Sequence, residues 1–169
     1  MEPMRIRRAE PDEGPAVLAV LDDAARWLAA RGVEQWPAAF RTEWIEPALG
    51  SGEVWLAERA GAAVATVTLQ WSDPLWPDDG RAGYLHRFAV RRQVAGLGTE
   101  LLGWAASATR ERGRDRLRLD CSATNASLRA YYENAGFLFC GDVEVPATAL
   151  QWGKGRRVMV SLYELSLEP

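Results

Sequence analysis

The segment from Val90 to Thr99, with the sequence VRRQVAGLGT, constrains the fold of this chain most strongly. It follows an apolar stretch, Tyr84 to Val90, and precedes a helical pattern that runs from about Leu97 to Arg112. Gly96 and Gly98 allow positive φ and a close approach of the backbone to a ligand. The N–H groups of such a turn and of a helix N-terminus form a concave array of donors that suits a pyrophosphate. We therefore predict a strand–turn–helix unit with a phosphate cradle.

Two familiar phosphate-binding motifs do not match this turn. The P-loop requires a lysine after its second glycine, and the only lysine of the chain, Lys154, lies elsewhere. The dinucleotide fingerprint requires a third glycine at position 101, where the chain has Leu101. On this turn alone, an ordinary glycine-containing connection between a strand and a helix remains the alternative.

A second motif follows the predicted strand that ends at Cys121. Asn125 is followed by the segment YYENAGF, from Tyr131 to Phe137. Together with Gln93-x-x-Gly96-x-Gly98, this segment resembles the GNAT superfamily of acetyl-coenzyme A-dependent N-acetyltransferases. The resemblance implies one GNAT N-acetyltransferase domain over residues 1–169. It also implies an α/β (α+β) fold in which four helices flank a mixed central sheet of about seven strands.

The periodicity of apolar residues and the turn residues predict the same order of elements. The order is strand, helix, helix, three strands, helix, strand, helix, strand, strand. The second and third strands read as a hairpin around Ala60-Gly61. The predicted bounds are Met4–Arg8, a helix from Pro11 towards Gly32, Pro37–Leu49, Glu53–Arg59, Ala63–Trp71, Tyr84–Val90, Leu97–Arg112, Arg116–Cys121, Asn125–Asn134, Phe137–Val145 and Arg157–Leu167.

The resemblance implies where acetyl-coenzyme A binds. Backbone N–H groups of the glycine turn would hold the pyrophosphate, and the preceding strand would pair with the pantetheine arm. Asn125 would contact the pantetheine or hold the adjoining loop, and Tyr132 would sit near the thioester sulfur. The implied cofactor-binding residues are Phe88, Ala89, Val90, Gln93, Val94, Ala95, Gly96, Leu97, Gly98, Thr99, Asn125 and Tyr132.

Direct attack of an amine on a thioester sets the chemistry that the chain must supply. A backbone N–H from the strand can stabilise the oxyanion, at a gap where Tyr84–Val90 and Arg116–Cys121 splay apart. A hydroxyl with a pKa of ~10 can protonate a departing thiolate with a pKa of ~8.5, and Tyr132 suits that role. His86 is the candidate general base, since histidine alone has an unperturbed pKa near neutrality. Glu34, Glu144 or a water chain ending on a carboxylate are alternatives.

The composition narrows the class of protein. His86 is the only histidine and the cysteines are Cys121 and Cys140, so a zinc site is nearly excluded and we expect no metal. The net charge of −3 disfavours a nucleic-acid partner. No apolar run is long enough for a membrane helix, so we expect a cytoplasmic chain without a membrane partner. The bias of the basic residues towards arginine indicates nothing about function. A homodimer is left open.

The resemblance implies an acceptor site built from the first two helices, the loop before the fourth strand and the last hairpin, and these parts of the chain contain tryptophans and a glutamate. An aromatic and carboxylate surface suits a cationic amine. We therefore expect a primary amine, favouring a small molecule, as the acceptor. Core packing of each tryptophan is the alternative, and a protein N-terminal or lysine acetyltransferase and a non-catalytic acyl-coenzyme A-binding module are the alternative functions. The predicted substrate-binding residues are Glu34, Trp36, Trp76 and Trp152.

Overall fold

A computed structural model describes residues 2–32, 36–37, 39–91, 96–145 and 158–168. Within these residues the chain forms one seven-stranded sheet and four α-helices, which confirms the predicted fold class. A short 3-10 turn, Pro11–Glu13, precedes the first helix. The elements are β1 (Arg5–Arg8), α1 (Gly14–Ala29), α2 (Thr42–Gly50), β2 (Val54–Arg59), β3 (Ala62–Gln70), β4 (Ala82–Val90), α3 (Leu97–Glu111), β5 (Arg116–Ser122), α4 (Ala126–Asn134), β6 (Leu138–Val145) and β7 (Val158–Ser166).

The sheet is mixed, with the strand order β1-β2-β3-β4-β5-β7-β6. β1, β2 and β3 pair in antiparallel fashion, and so do β5, β7 and β6. β4 and β5 are parallel, and their ladder joins Ala82–Tyr84 to Arg116–Arg118. None of the described helices is long and apolar enough to cross a bilayer.

The chain divides into two compact units, and the division falls within β4 and α3. The first unit comprises Met1–Leu69 and His86–Leu101, and the second comprises Gln70–Leu85 and Leu102–Pro169. In the first unit, α1 and α2 pack against β2 around buried aliphatic residues such as Leu21, and the two helices also contact each other. In the second unit, β7 pairs in antiparallel fashion with both β5 and β6, and Tyr163 is the largest fully buried side chain.

The hairpin of the first unit has the predicted turn. Ala60 and Gly61 have φ angles of 53° and 78°. Two consecutive residues with positive φ form the tight turn whose twist matches that of antiparallel strands. Gly61 adopts this conformation without steric cost, whereas Ala60 is strained, so the strands rather than the local sequence hold the turn in place.

The second helix begins later than predicted. The sequence places its start at Pro37, but α2 begins at Thr42. The backbone N–H of Phe40 donates to the Asp22 carboxylate on α1 at 2.8 Å, and Arg41 is extended, with φ −99° and ψ 145°. The chain before α2 is therefore bound to α1 and cannot start a helix of its own. This contact spans 18 positions, so no local pattern reveals it.

Candidate active site

The described part of the glycine turn is Gly96 and the N-terminus of α3. Gly96 has a φ of 80°, and a Cβ placed there would meet no heavy atom within 4 Å. Leu97 is fully buried and begins α3, which anchors the helix directly after the turn. The first N–H groups of an α-helix lack acceptors within the helix, so those of Leu97, Gly98 and Thr99 are suited to an anion. The other predicted cradle residues, Gln93, Val94 and Ala95, lie outside the described residues.

The strand end before the turn is held firmly. The Arg91 backbone N–H donates to the Val64 carbonyl at 2.8 Å, and its Nε donates to the Ala63 carbonyl at 3.0 Å. Its Nη1 lies 3.7 Å from the Asp23 carboxylate. These contacts attach the end of β4 to β3 and to α1. The end of β4 therefore has a fixed position within the first unit.

β4 carries an irregularity that sequence reasoning missed. Arg87 has a φ of 48°, a left-handed conformation that a non-glycine residue rarely adopts. In a strand, such a residue interrupts the extended backbone and can turn a backbone N–H away from its neighbour strand. Burial lowers the pKa of the Arg87 guanidinium. An arginine gives no sequence signal for this conformation, because glycine or asparagine are the residues expected there.

The predicted residues of β4 lie on either side of Arg87. His86 and Phe88 are half-buried, Ala89 is buried in the core of the first unit, and Val90 is half-buried at the strand end. Their roles as general base and as pantetheine partners stay predictions. Of the alternative bases, Glu144 is exposed on β6, and Glu34 lies outside the described residues.

Tyr132 is positioned by its own helix and by the sheet below it. It lies on α4 with an exposure of only 5%, and its ring packs against those of Tyr131, Phe137 and Tyr163 at centroid distances of 5.5, 5.6 and 6.3 Å. The Phe137 N–H donates to the Tyr132 carbonyl at 3.0 Å, which closes the helix at Gly136. Tyr132 therefore faces the sheet, whereas Tyr131 is less buried.

Asn125 caps the helix that carries Tyr132. Its side-chain oxygen accepts a hydrogen bond from the Leu128 N–H at 3.1 Å. Such a cap typically stabilises a helix by ~1 kcal/mol. Holding the local chain is one of its two predicted roles, and the pantetheine contact stays a prediction.

Tyr163 supports Tyr132 from β7, which the sequence did not reveal. Its hydroxyl donates to Glu133 at 2.9 Å and accepts from Arg129 Nε at 3.1 Å. Burial is the main cause that raises the pKa of Tyr163. Because Arg129 and Glu133 are one helical turn apart, Tyr163 binds one face of α4 to the sheet.

The predicted acceptor tryptophans rest on separate apolar clusters. Trp36 packs against the helical core of the first unit, and its ring meets Phe40 edge-on at 5.5 Å. Trp76 packs in the second unit against a cluster that includes Val160 and Leu162. Both side chains are partly exposed, so each packs against its cluster and also leaves part of its ring accessible to solvent. The other two predicted acceptor residues, Glu34 and Trp152, lie outside the described residues.

Two carboxylates of the second unit lie close together. Asp73, in the loop before β4, is buried, and Asp120 on β5 is half-buried. Their carboxylate oxygens lie within 4.8 Å of each other. One carboxylate oxygen of Asp73 also accepts a hydrogen bond from the Leu75 N–H at 2.8 Å.

Comparison with known proteins identifies the family. A model described as the acetyltransferase (GNAT) family matches residues 21–137. The chain is 33% identical to the uncharacterized N-acetyltransferase YesJ of Bacillus subtilis, over 77% of this chain and 79% of the relative. The chain therefore belongs to the GNAT family and is an acyltransferase.

Solved structures agree with this assignment. A GNAT-family acetyltransferase from Listeria monocytogenes superposes with a TM-score of 0.74 at 28% identity, covering 96% of this chain and 94% of that one. The yncA protein of Salmonella typhimurium, a structure with its cofactor acetyl-coenzyme A, superposes with a TM-score of 0.68 at 16% identity, covering 99% and 95%. The second likeness shows the fold alone.

Proposed function

We propose that this chain transfers acetyl from acetyl-coenzyme A to a primary amine of a small molecule by direct attack. The observation that carries the proposal is the Gly96 turn, whose left-handed backbone and open surface stand immediately before the N-terminus of α3. A related fold, the yncA protein, binds acetyl-coenzyme A. These residues suit a pyrophosphate because backbone donors can approach it without a side chain in the way.

Each catalytic role then falls to a residue of this chain. Bound acetyl-coenzyme A supplies a thioester carbonyl that an amine can attack. A backbone N–H of β4 stabilises the negative charge on the carbonyl oxygen as the new C–N bond forms. Tyr132 donates its phenolic proton to the sulfur as the C–S bond breaks, and it later recovers a proton from solvent. An amine that binds as an ammonium loses one proton to solvent before it attacks, and His86 accepts the second proton as the C–N bond forms.

The preference for a small amine is supported by the acceptor side of the chain. Trp76 offers a partly exposed aromatic ring. The ammonium form of an amine can lie over such a ring, and its apolar body can pack against it. A peptide amine is the second candidate, since an N-terminus presents the same charge. A cytoplasmic location and a homodimer stay predictions.

A screen of amines with detection of free thiol tests the proposal. The wild-type chain should release coenzyme A from acetyl-coenzyme A in the presence of at least one primary amine. Mass spectrometry should then find the acetylated amine. If acetyl-coenzyme A binds but neither small amines nor peptides release thiol, the chain is an acyl-coenzyme A-binding module and the catalytic proposal is wrong.

A further inference from the structure

The loop between β3 and β4 is internally ordered. The Asp73 carboxylate accepts a hydrogen bond from the Leu75 N–H at 2.8 Å, and the Trp76 N–H donates to the Asp73 carbonyl at 3.1 Å. Further on, the Arg81 N–H donates to the Asp79 carboxylate at 3.1 Å. Side chains that hydrogen-bond to backbone two residues on stabilise turns, so this loop has a defined shape.

One arginine joins the two ends of this loop. Arg114 Nη1 donates to the Trp71 carbonyl and to the Ala82 carbonyl, both at 2.8 Å. The guanidinium of Arg114 also lies over the Trp71 ring, 5.5 Å from its centroid, and that of Arg112 lies at 4.7 Å. The ends of the loop are therefore held at a fixed separation.

A second arginine, Arg118 on β5, holds the middle of the loop. It is only 6% exposed, and its guanidinium binds both oxygens of Asp79, at 3.0 and 2.7 Å. It also donates to Glu164 at 2.7 Å and to the Tyr84 hydroxyl at 3.0 Å. The hydrogen bonds from Arg118 lower the pKa of Asp79 to about 2. A bidentate pair fixes the orientation of both partners, so Asp79 ties the loop to the sheet.

Trp76 lies between Arg118 and the apolar cluster. The Arg118 guanidinium carbon is 4.9 Å from the centre of the Trp76 ring. The indole also packs against the cluster of Val160 and Leu162. Its Nε1 is buried and has no hydrogen-bond partner among the described residues. Trp76 is therefore held by stacking on Arg118 and by apolar contacts. Its position depends on the positions of Arg118 and of the loop.

Trp76 and Tyr132 lie on opposite faces of β7. Trp76 packs against the cluster that contains Leu162, whereas Tyr132 packs near Tyr163. Successive side chains of a strand point to opposite faces of the sheet. Because the two side chains pack on different faces of β7, a substitution of Trp76 does not remove a packing contact of Tyr132.

We infer that Arg118 is a positioning residue for the acceptor. Through Asp79 it fixes the loop so that Trp76 forms an apolar wall for a primary amine with an aromatic or alkyl body. This inference rests on the proposed function. Arg118 touches neither the reacting atoms nor the acceptor and acts through Trp76.

Asp79→Asn tests this role without leaving a buried charge unpaired. Asp79 is about a third exposed, and Arg118 keeps its bond to Glu164. Asp78→Asn is the matched control, because it makes the same change in charge one residue earlier, at an exposed position. The probe is the amine with the highest kcat/KM for the wild-type chain in a panel of benzylamine, tyramine, 1,4-diaminobutane and an alanyl peptide.

For Asp79→Asn we expect the KM for this amine to rise roughly tenfold, with kcat and the Kd of acetyl-coenzyme A within about twofold. Asp78→Asn should behave as wild type. Trp76→Ala should raise the KM at least as much, and the double variant Asp79→Asn/Trp76→Ala should equal Trp76→Ala alone, since residues that act as one unit are not additive.

Three results would count against the inference. Equal KM values for Asp79→Asn and Asp78→Asn would overturn it, and so would additive effects in the double variant. Weaker binding of acetyl-coenzyme A by Asp79→Asn would show a general structural role instead. Absence of turnover by the wild-type chain with every amine would refute the proposed function itself, which is a distinguishable outcome.

Discussion

Gly96 offers the sharpest test of the phosphate cradle, because Gly113 provides a nearly identical control. Gly96 and Gly113 have φ angles of 80° and 79°, and a Cβ at either would meet nothing within 4 Å. Asparagine and aspartate are the side chains that enter this region most readily. Either substitution should therefore destabilise the fold by a similar ~1 kcal/mol. That corresponds to a decrease in Tm of ~2–4 °C for a chain of this size.

The two positions should differ in their effect on coenzyme A. A carboxylate about 4 Å from one phosphate charge is repelled by up to ~4 kcal/mol at an effective dielectric constant of ~20. Solvent screening reduces this repulsion at an open turn, and we expect about 2 kcal/mol, or roughly a 30-fold increase in Kd, for Gly96→Asp relative to Gly96→Asn. Gly113→Asp and Gly113→Asn should bind coenzyme A equally well.

Isothermal titration of coenzyme A into the four variants measures this difference, and thermal unfolding measures the strain. Equal affinities of Gly96→Asp and Gly96→Asn would refute the reasoning, because no phosphate would then lie near the turn. A loss of affinity at Gly113→Asp as large as that at Gly96→Asp would show that the charge acts through the whole chain. Either result would remove the main support for the cradle.

Three further predictions concern Tyr132, Glu13 and the cysteines. Tyr132→Phe should lower kcat by about 10²-fold while the Kd of acetyl-coenzyme A is unchanged; an unchanged kcat would exclude the tyrosine as the acid. Hydrogen bonds from Arg7 lower the pKa of Glu13 from 4.5 to about 2 in the folded chain. The stabilisation that they give is therefore complete above the pKa of Glu13 in the unfolded chain, and it is lost as the pH falls through the pKa in the folded chain. Urea unfolding should therefore show a difference between wild type and Glu13→Gln at neutral pH that shrinks near pH ~2, and a constant difference would contradict this. Burial raises the pKa of Cys121 to about 12, so a thiol reagent at mildly alkaline pH should label Cys140 alone until urea is added.

The sequence predicted the elements wherever local signals were sufficient. The glycines that end α3 and α4, Gly113 and Gly136, have φ angles of 79° and 99°, as expected for residues that close a helix. The start of α2 was wrong because a contact with Asp22 on another helix fixed the preceding segment. Local patterns indicate the secondary structure that a segment prefers by itself, whereas contacts between distant residues decide which structure it adopts in the folded chain.

Some residues of the candidate site could be predicted from the sequence and others could not. The family resemblance pointed to Tyr132, and the structure buries this side chain on α4. The Arg118 network left no trace in the sequence, since its partners Asp79 and Glu164 lie 39 and 46 positions away. The left-handed backbone at Arg87 was equally hidden, because arginine is not a residue type that this conformation favours.

The excess of arginine over lysine has a structural use that composition did not indicate. Guanidinium groups lie over tryptophan rings in several places, as for Arg31 on Trp27, at 3.8 Å from the ring centre. A planar guanidinium can stack on a ring and bind a carboxylate in its own plane at once, whereas an ammonium cannot. Arg118 does both, with Trp76 against its face and Asp79 at its edge. A lysine at position 118 would keep the charge and lose this geometry, so the choice of arginine there follows from the position of the tryptophan.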